Sequence, residues 1–275
     1  MTPPSSGLPE FDISVFKGLA SANTAKRDAA VESLVVELRE VQMAYEKLDN
    51  KELVEVGMQL EAEKDDGLEN CAPSLRYAVR RLIHGVSSPR ECVRQGFAMG
   101  LTTLVGVITS IRVDALLKLI VDLLEVSSSV KGQEVKDRLL GRLFAYGAVS
   151  RSGRLTDENC HSIQEFTSSI ISLATKKRYL QEPAVAVILD LVEKLPVEAL
   201  LNQVLEAPGL QEWLKGAIEV GNPAALLLAL KLREKTSVDG DFFGKLLPDS
   251  NSPSAFFPTD HHFFAVLKIS PAGLA

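Results

Sequence analysis

The sequence is poor in the residues that build stapled or metal-bound folds. It has three cysteines in 275 residues, and Cys71, Cys92 and Cys160 form no CxxC pair. A disulfide framework and a zinc site are therefore both disfavoured, and a reducing compartment is expected. The sequence has no Asn-x-Ser/Thr sequon and no basic or apolar leader pattern in its first residues, so we expect no secretory signal.

Long apolar runs are also missing. The longest stretch without Asp, Glu, Lys or Arg, residues 95–111, has seventeen residues and includes three glycines. This is short for a membrane span and favours a helix of the protein core. Gly96 and Gly100 lie one helical turn apart, and we expect them to let neighbouring helices approach closely. The 46% hydrophobic and 24% charged residues are typical of a folded protein.

Strand-like alternation is nearly absent, whereas helical periodicity runs through most of the chain. An apolar stripe formed by Leu75, Val79, Leu82 and Val86 has the spacing of one helix face. The opposite side of this helix carries Arg76, Arg80, Arg81 and His84. The pattern therefore predicts an amphipathic helix with a cationic outer side, followed by a second helix that Ser88 caps and Pro89 begins.

One short pattern occurs three times. It is an apolar residue and a base, followed by apolar residues four, five and eight positions after the first. Clear copies begin at Val93 and Val135, which are 42 positions apart, and a fainter copy begins at Ala25. The pattern and its period are typical of the inner helix of a HEAT or armadillo pair. We therefore predict an all-α, armadillo/HEAT-like helical solenoid. As an alternative to a partner surface, Arg94 and its repeat equivalent Lys136 would bond an adjacent acid or carbonyl within the protein.

The chain is predicted to have three parts: a disordered N-terminus at 1–9, a helical repeat region at 10–247 and an irregular tail at 248–275. In the later part of the repeat region, periodicity and prolines predict helices near residues 162–175, 183–194, 197–206, 210–220 and 223–235. A solenoid normally ends in a capping repeat with a polar face. The tail lacks that pattern, so we expect a truncated chain.

Opposite charges are segregated along the sequence. Residues 73–154 carry thirteen Lys and Arg against six Asp and Glu, whereas residues 28–69 carry four bases against thirteen acids. Such segregation indicates a surface for a partner, although a solvated helix face with internal ion pairs is an alternative. The candidate contacts to nucleic acid or an acidic partner are Arg76, Arg80, Arg81, Arg90, Arg94, Lys131, Arg138, Arg142, Arg151 and Arg154. A separate cluster, Lys176, Lys177 and Arg178, is a candidate nuclear import signal.

No motif indicates a catalytic site. Polymerase chemistry needs clustered carboxylates that hold two metal ions, and the sequence has one Asp-x-Asp, Asp239-Gly240-Asp241, which we interpret as a capping turn. A Gly-rich phosphate loop, HExxH and Gly-x-Ser-x-Gly are all missing. We therefore predict no catalytic residue, no metal and no cofactor.

Three runs resemble the plant branch of the DNA polymerase V and Myb-binding protein 1A family of nucleolar proteins. They are residues 70–102, 131–156 and 176–197, and the resemblance extends over about residues 7–248. It implies an armadillo-like scaffold, a nuclear and chiefly nucleolar address, association with DNA or chromatin, and a role in ribosomal RNA synthesis or transcriptional regulation. Members of this family are several times longer and carry basic, disordered ends.

Three hypotheses follow. The first is a non-enzymatic nucleolar scaffold that meets DNA, chromatin or ribosomal DNA together with transcription or ribosome-assembly proteins. The second is a DNA-directed DNA polymerase, as the family name implies. The third is a pure protein-interaction module. All three exclude a membrane partner, and the scaffold and the interaction module also exclude a small-molecule substrate.

Overall fold

The computed structural model describes residues 8–48, 67–156 and 160–236, and every regular element in these ranges is helical. The prediction of an all-α fold is confirmed. The chain divides into two compact units, Met1–Glu158 and Asn159–Ala275. No helix of the described ranges is long and apolar enough to cross a bilayer. The predicted limits of the repeat region stay predictions, and the tail at 248–275 lies outside the described residues.

The described part of the first unit has six α-helices that pair as hairpins. The helices are α1 (Val15–Leu19), α2 (Thr24–Glu46), α3 (Pro73–Gly85), α4 (Glu91–Val107), α5 (Val113–Leu123) and α6 (Gln133–Arg151), followed by a 3₁₀ turn at Arg154–Thr156. Helix α1 packs on α2, α3 on α4, and α5 on α6. The second helices of these hairpins also contact each other in succession, because α4 touches both α2 and α6.

The second unit is likewise helical wherever it is described. Its elements are α7 (Cys160–Lys176), a 3₁₀ turn (Arg178–Leu180), α8 (Gln181–Lys194), α9 (Val197–Ala199) with a following π turn (Leu200–Val204), α10 (Leu210–Glu219) and α11 (Pro223–Thr236). The five helices predicted for this region are confirmed to within a few residues. Pro196 is the N-cap residue of α9 and Pro223 is the first residue of α11, where a missing N–H costs nothing.

Helix α4 begins later than predicted. Its first residue is Glu91 and its N-cap is Arg90, so Pro89 precedes the helix instead of starting it. Ser88 does not cap the helix either. Its Oγ accepts the backbone N–H of Arg90 at 3.3 Å, and this bond holds residues 88–90 in a turn outside the helix.

The copies of the pattern near Ala25 and at Val93 share one feature in the structure, with the first copy shifted by one residue. Arg27 Nη1 donates to the carbonyl oxygens of Ser21 and Ala22 at 2.9 and 3.0 Å. Arg94 Nη1 donates to the carbonyls six and five residues before it at the same two distances. Both arginines are the fourth residue of their helices. Arg27, and not Lys26, is therefore the counterpart of Arg94.

The shift also explains why the first copy is faint in the sequence. Counted from Lys26, the positions four, five and eight residues later are Ala30, Val31 and Leu34, and all three are buried. Lys26 itself is exposed. The predicted pattern required an apolar residue directly before the base. In the first copy that residue is Lys26, and because it is exposed it need not be apolar. Arg94 thus bonds adjacent carbonyls, as in the alternative of internally bonded bases.

Helix α4 approaches its neighbours at two glycines. A Cβ atom on Gly96 would lie 1.9 Å from the carbonyl oxygen of Leu19, at the end of α1. A Cβ on Gly100 would lie 3.1 Å from Leu82 Cδ2 and 3.2 Å from Leu34 Cδ2. The expectation that these glycines permit close helix packing is confirmed, and Gly96 tolerates no side chain because the atom opposite belongs to the backbone.

We predict that Gly96→Ala lowers the free energy of unfolding by about 1–3 kcal/mol, because the added methyl group forces α1 and α4 apart. Gly216→Ala is the matched control. Gly216 lies within α10 and is exposed. A Cβ atom there would have no other atom within 4 Å, apart from the adjacent residues and the backbone of its own helix. Alanine should stabilise the helix there by about 0.5–1 kcal/mol. Urea unfolding followed by far-UV circular dichroism measures both changes, and equal stability of the two variants would contradict the packing argument.

Candidate nucleic-acid interface

Two of the arginines predicted to face outward are buried. Arg76 is 4% exposed and Arg142 is 8% exposed. The prediction that Arg76 lies on the outer face of its helix is wrong, because α3 contacts α2, α4, α5 and α6 and so buries a wider arc than the single stripe of Leu75 and Val79. Neither arginine is available to a partner.

Several bases instead bond carbonyl groups at the ends of neighbouring helices. Arg142 Nε and Nη2 each donate at 3.0 Å, to the carbonyls of Leu124 and Val121 at the end of α5. The guanidinium of Arg154 donates at 3.3–3.4 Å to the carbonyls of residues 105, 108 and 109 at the end of α4. Carbonyls at a helix C-terminus lack donors within the helix, and the arginines supply donors there. The Ile108 carbonyl also accepts the backbone N–H of Ile111 at 3.2 Å.

Two further bases of the chain also bond carbonyl groups at helix ends. Arg138 Nη1 donates to the carbonyl of Glu125 at 2.6 Å, and its Nη2 forms an ion pair with Glu134 at 2.7 Å. In the second unit, Lys235 Nζ donates to the carbonyl of Glu193 at 2.6 Å, at the end of α8. Positive charge at a helix C-terminus also offsets the helix dipole.

The guanidinium group of Arg94 is also engaged in contacts within the protein. Besides its two carbonyl bonds, its guanidinium lies 5.7 Å from the centre of the Phe144 ring, within the range of a cation–π contact. Arg80 and Arg94 are both half-buried. Of the ten candidate bases, the ones with exposed side chains are Arg81, Arg90, Lys131 and Arg151.

The exposed Arg81 lies near a groove between three elements of the first unit. The groove has a volume of about 430 Å³ and is lined by the end of α3, the following turn, the end of α5 and the start of α6. Its lining includes His84, Arg138, Glu134 and Asp137. The lining thus has two carboxylates and one guanidinium group, and this arrangement does not favour a phosphate ligand.

His84 responds to these charges. The surrounding protein lowers the pKa of His84 below 6.5 by desolvation, and the guanidinium groups of Arg138, Arg81 and Arg80 lower this pKa further. Glu134 and Asp137 also line the groove, but Arg138 and Gln133 already bond them. The imidazole is therefore neutral near pH 7 and adds no positive charge to the groove.

The second basic cluster differs from the bases that bond helix-end carbonyls in its exposure to solvent. Lys176, Lys177 and Arg178 are all exposed, at the turn between α7 and α8. The residue after them, Tyr179, is 40% exposed. The sequence prediction omitted Tyr179, although an aromatic residue directly after three bases is itself a signal for nucleic-acid contact.

No metal-binding group emerges from the described ranges, in which no three His, Cys, Asp or Glu side chains are placed to share an ion. Asp239-Gly240-Asp241 lies outside those ranges, and so do His261 and His262. Cys71 is buried and its Sγ lies 3.4 Å from the carbonyl of Ser110, which agrees with its interpretation as a small core residue.

Two comparisons with known proteins return matches. A sequence profile described as DNA polymerase phi matches residues 77–263, which is more than half of the chain. The rDNA transcriptional regulator pol5 of Schizosaccharomyces pombe is 32% identical over 160 residues. That alignment covers 55% of this chain and 17% of the yeast protein, so the chain corresponds to a small part of that relative. No solved structure matches it significantly.

We predict that Arg142→Met lowers the free energy of unfolding by about 1–3 kcal/mol, because it removes the donors to the buried Leu124 carbonyl and the part-buried Val121 carbonyl. Arg81→Met is the control: the side chain is exposed, and a change within about 0.5 kcal/mol is expected. Urea unfolding measures both. A loss of stability for Arg81→Met but not for Arg142→Met would contradict the structural role that we assign to Arg142.

We also predict a pH effect at His84. Because its pKa is lowered in the folded state, the unfolded chain binds more protons as the pH falls below about 6.5, and folding stability decreases there. His84→Gln removes this contribution. The loss of stability between about pH 7.5 and about pH 5.5 should thus be smaller for the variant than for the wild type. Identical losses would show that desolvation and the three guanidinium groups do not act on this imidazole.

Proposed function

Because this chain belongs to the DNA polymerase phi family, we propose that it is a non-enzymatic scaffold in the regulation of rDNA transcription, and thereby in ribosomal RNA synthesis and ribosome biogenesis. The observation that carries the proposal is its similarity to a fission yeast protein named as an rDNA transcriptional regulator. A nuclear and nucleolar location is part of the proposal, since rDNA is transcribed in the nucleolus. The resemblance of residues 70–102, 131–156 and 176–197 supports placing the chain in the plant-type, Myb-binding protein 1A-like branch.

The proposed architecture is an armadillo/HEAT-like solenoid. Three successive hairpins with contacting second helices support it in the first unit. The equivalence of Arg27 and Arg94 supports it further, because each bonds the same two backbone positions ahead of its helix. A scaffold of this kind offers long surfaces to partners without any catalytic group.

We assign the nucleic-acid contact in the first unit to Arg81, Arg90, Lys131 and Arg151. Their side chains are exposed, whereas the guanidinium groups of Arg94, Arg138, Arg142 and Arg154 already donate to backbone carbonyls. Phosphate binding releases counterions only where a base is free to neutralise the phosphate. The positive charge that residues 73–154 can offer to a phosphate is therefore smaller than their number of arginines suggests.

A protein-interaction module remains a second candidate. The exposed side of α4 carries Met99, Thr103 and Val107 and no charge between Gln95 and the end of the helix. Two exposed apolar residues of α2, Val36 and Met43, lie on the helix that packs beside it. Such a surface suits transcription or ribosome-assembly proteins better than a phosphate backbone.

The test of the nucleic-acid contact is the salt dependence of binding to duplex rDNA fragments. A variant with Arg81, Arg90, Lys131 and Arg151 changed to Gln should bind more weakly, with a slope of log affinity against log salt that is shallower by about 0.9 for each phosphate that the variant no longer neutralises. The control changes four exposed bases elsewhere in the same unit, Lys17, Lys26, Arg39 and Lys47. Equal slopes for the two variants would refute the assignment.

The same purified chain separates the remaining hypotheses. Metal-dependent primer extension would establish the polymerase alternative and contradict the scaffold. Failure of the wild type to bind rDNA, together with binding of nuclear proteins that Met99→Glu abolishes, would favour the interaction module. In cells, depletion of the protein should change rDNA run-on transcription, and re-expression should restore it.

A further inference from the structure

The turn between α7 and α8 presents three adjacent bases. Lys176, Lys177 and Arg178 are exposed, and within the described part of the chain none of them takes part in an ion pair or a side-chain hydrogen bond. This differs from the first unit, where Arg138, Arg142 and Arg154 are bound to helix ends. The ammonium and guanidinium donors of this turn are available to a ligand.

The turn has a defined backbone. Helix α7 ends at Lys176, Lys177 is extended with φ −151° and ψ 140°, and a 3₁₀ turn follows from Arg178 to Leu180. The backbone N–H of Leu180 donates to the carbonyl of Lys177 at 3.0 Å, and the Leu180 side chain is fully buried. Leu180 therefore anchors the turn, while Lys176, Lys177 and Arg178 are exposed and Tyr179 is 40% exposed.

Tyr179 adds an aromatic group to the bases. Its side chain is 40% exposed. A tyrosine phenol is neutral near pH 7 and does not repel a phosphate, and desolvation raises the pKa of Tyr179 further above 10.0. A neutral ring beside cations is the combination that binds single-stranded nucleic acid, with bases stacked on the ring and phosphates on the cations.

A second turn lies next to the first. Asn222 Nδ2 donates to Gln181 Oε1 at 2.8 Å, which ties the turn between α10 and α11 to the start of α8. Two residues before Asn222, Val220 is 82% exposed. The exposed acids nearest in sequence to these two turns are Glu182 and Glu219. The three bases at residues 176–178 outnumber these two acids, so the site has a net positive charge.

We propose that the turn formed by Lys176, Lys177, Arg178 and Tyr179 binds single-stranded nucleic acid. The three bases hold successive phosphates and the tyrosine ring stacks on one base. A duplex is the poorer ligand, because its bases are stacked on each other and this turn presents no helix or β-ribbon to the major groove. The inference rests on the proposed function and names the class of nucleic acid for this part of the scaffold.

The test is fluorescence anisotropy of a labelled oligouridylate of about 12 nucleotides, within the usual site size for single strands. Tyr179→Ala should weaken binding at least about fivefold, and Tyr179→Phe should stay within about twofold of the wild type, because phenylalanine keeps the stacking surface. Changing Lys176, Lys177 and Arg178 to Gln should make the slope of log affinity against log salt shallower by about 2, which is about 0.7 for each phosphate.

The matched control replaces three exposed lysines of the first unit, Lys17, Lys26 and Lys47, with Gln. It removes the same charge and should leave the slope close to that of the wild type. Equal slopes for both triple variants, or unchanged affinity for Tyr179→Ala, would overturn the proposal. So would loss of import-receptor binding in the Lys176, Lys177 and Arg178 variant with oligouridylate affinity intact, since the cluster would then be an import signal.

The two proposals fail in different ways. If the wild type binds duplex rDNA but no oligouridylate, the turn is not a single-strand site and the proposed function stands. If the wild type binds oligouridylate and the turn variants do not weaken it, another surface binds the single strand and this inference is wrong. If the wild type binds neither nucleic acid, both this inference and the nucleic-acid part of the proposed function are wrong.

Discussion

The bonding of helix-end carbonyls by basic side chains is the interaction on which the rest of this structure depends. A chain of many short helices has many C-termini, and each leaves carbonyl oxygens without a partner. A guanidinium group has five donors on a long stem, so it reaches across a helix interface and satisfies two carbonyls at once. Arg142 does this for α5 and Arg154 for α4. The surplus of bases in residues 73–154 is thus in large part a structural requirement.

This interaction explains which sequence predictions failed. Helix positions followed from periodicity, and the all-α fold is confirmed. Periodicity also gives the direction in which a side chain leaves its helix, but it does not say what lies opposite. Arg76 lies outside the apolar stripe and was therefore expected in solvent, whereas four other helices cover α3 and bury it. A second neighbour widens the buried arc of a helix, and no single-helix pattern contains that neighbour.

The register of the first repeat copy was wrong for a related reason. It was set by an apolar residue before the base, yet the feature that the two copies share in the structure is the base itself, which bonds two carbonyls ahead of its helix. Arg27 keeps that bond while the residue before it, Lys26, is exposed. Gly96 shows the opposite case: its role could be predicted, because a glycine inside a helix is costly unless a neighbour needs the space, and the Leu19 carbonyl occupies that space.

The use of bases by the backbone also bears on function. The whole chain has a net charge of −6, so any attraction to nucleic acid has to arise locally, from bases whose donors are not already engaged. A count of arginines along the sequence does not distinguish engaged bases from available ones. The turn at Lys176–Tyr179 carries fewer bases than residues 73–154, but all of its charge faces solvent. A short cluster on a loop is therefore a stronger candidate for phosphate contact than a longer basic segment whose charges stabilise its own helix ends.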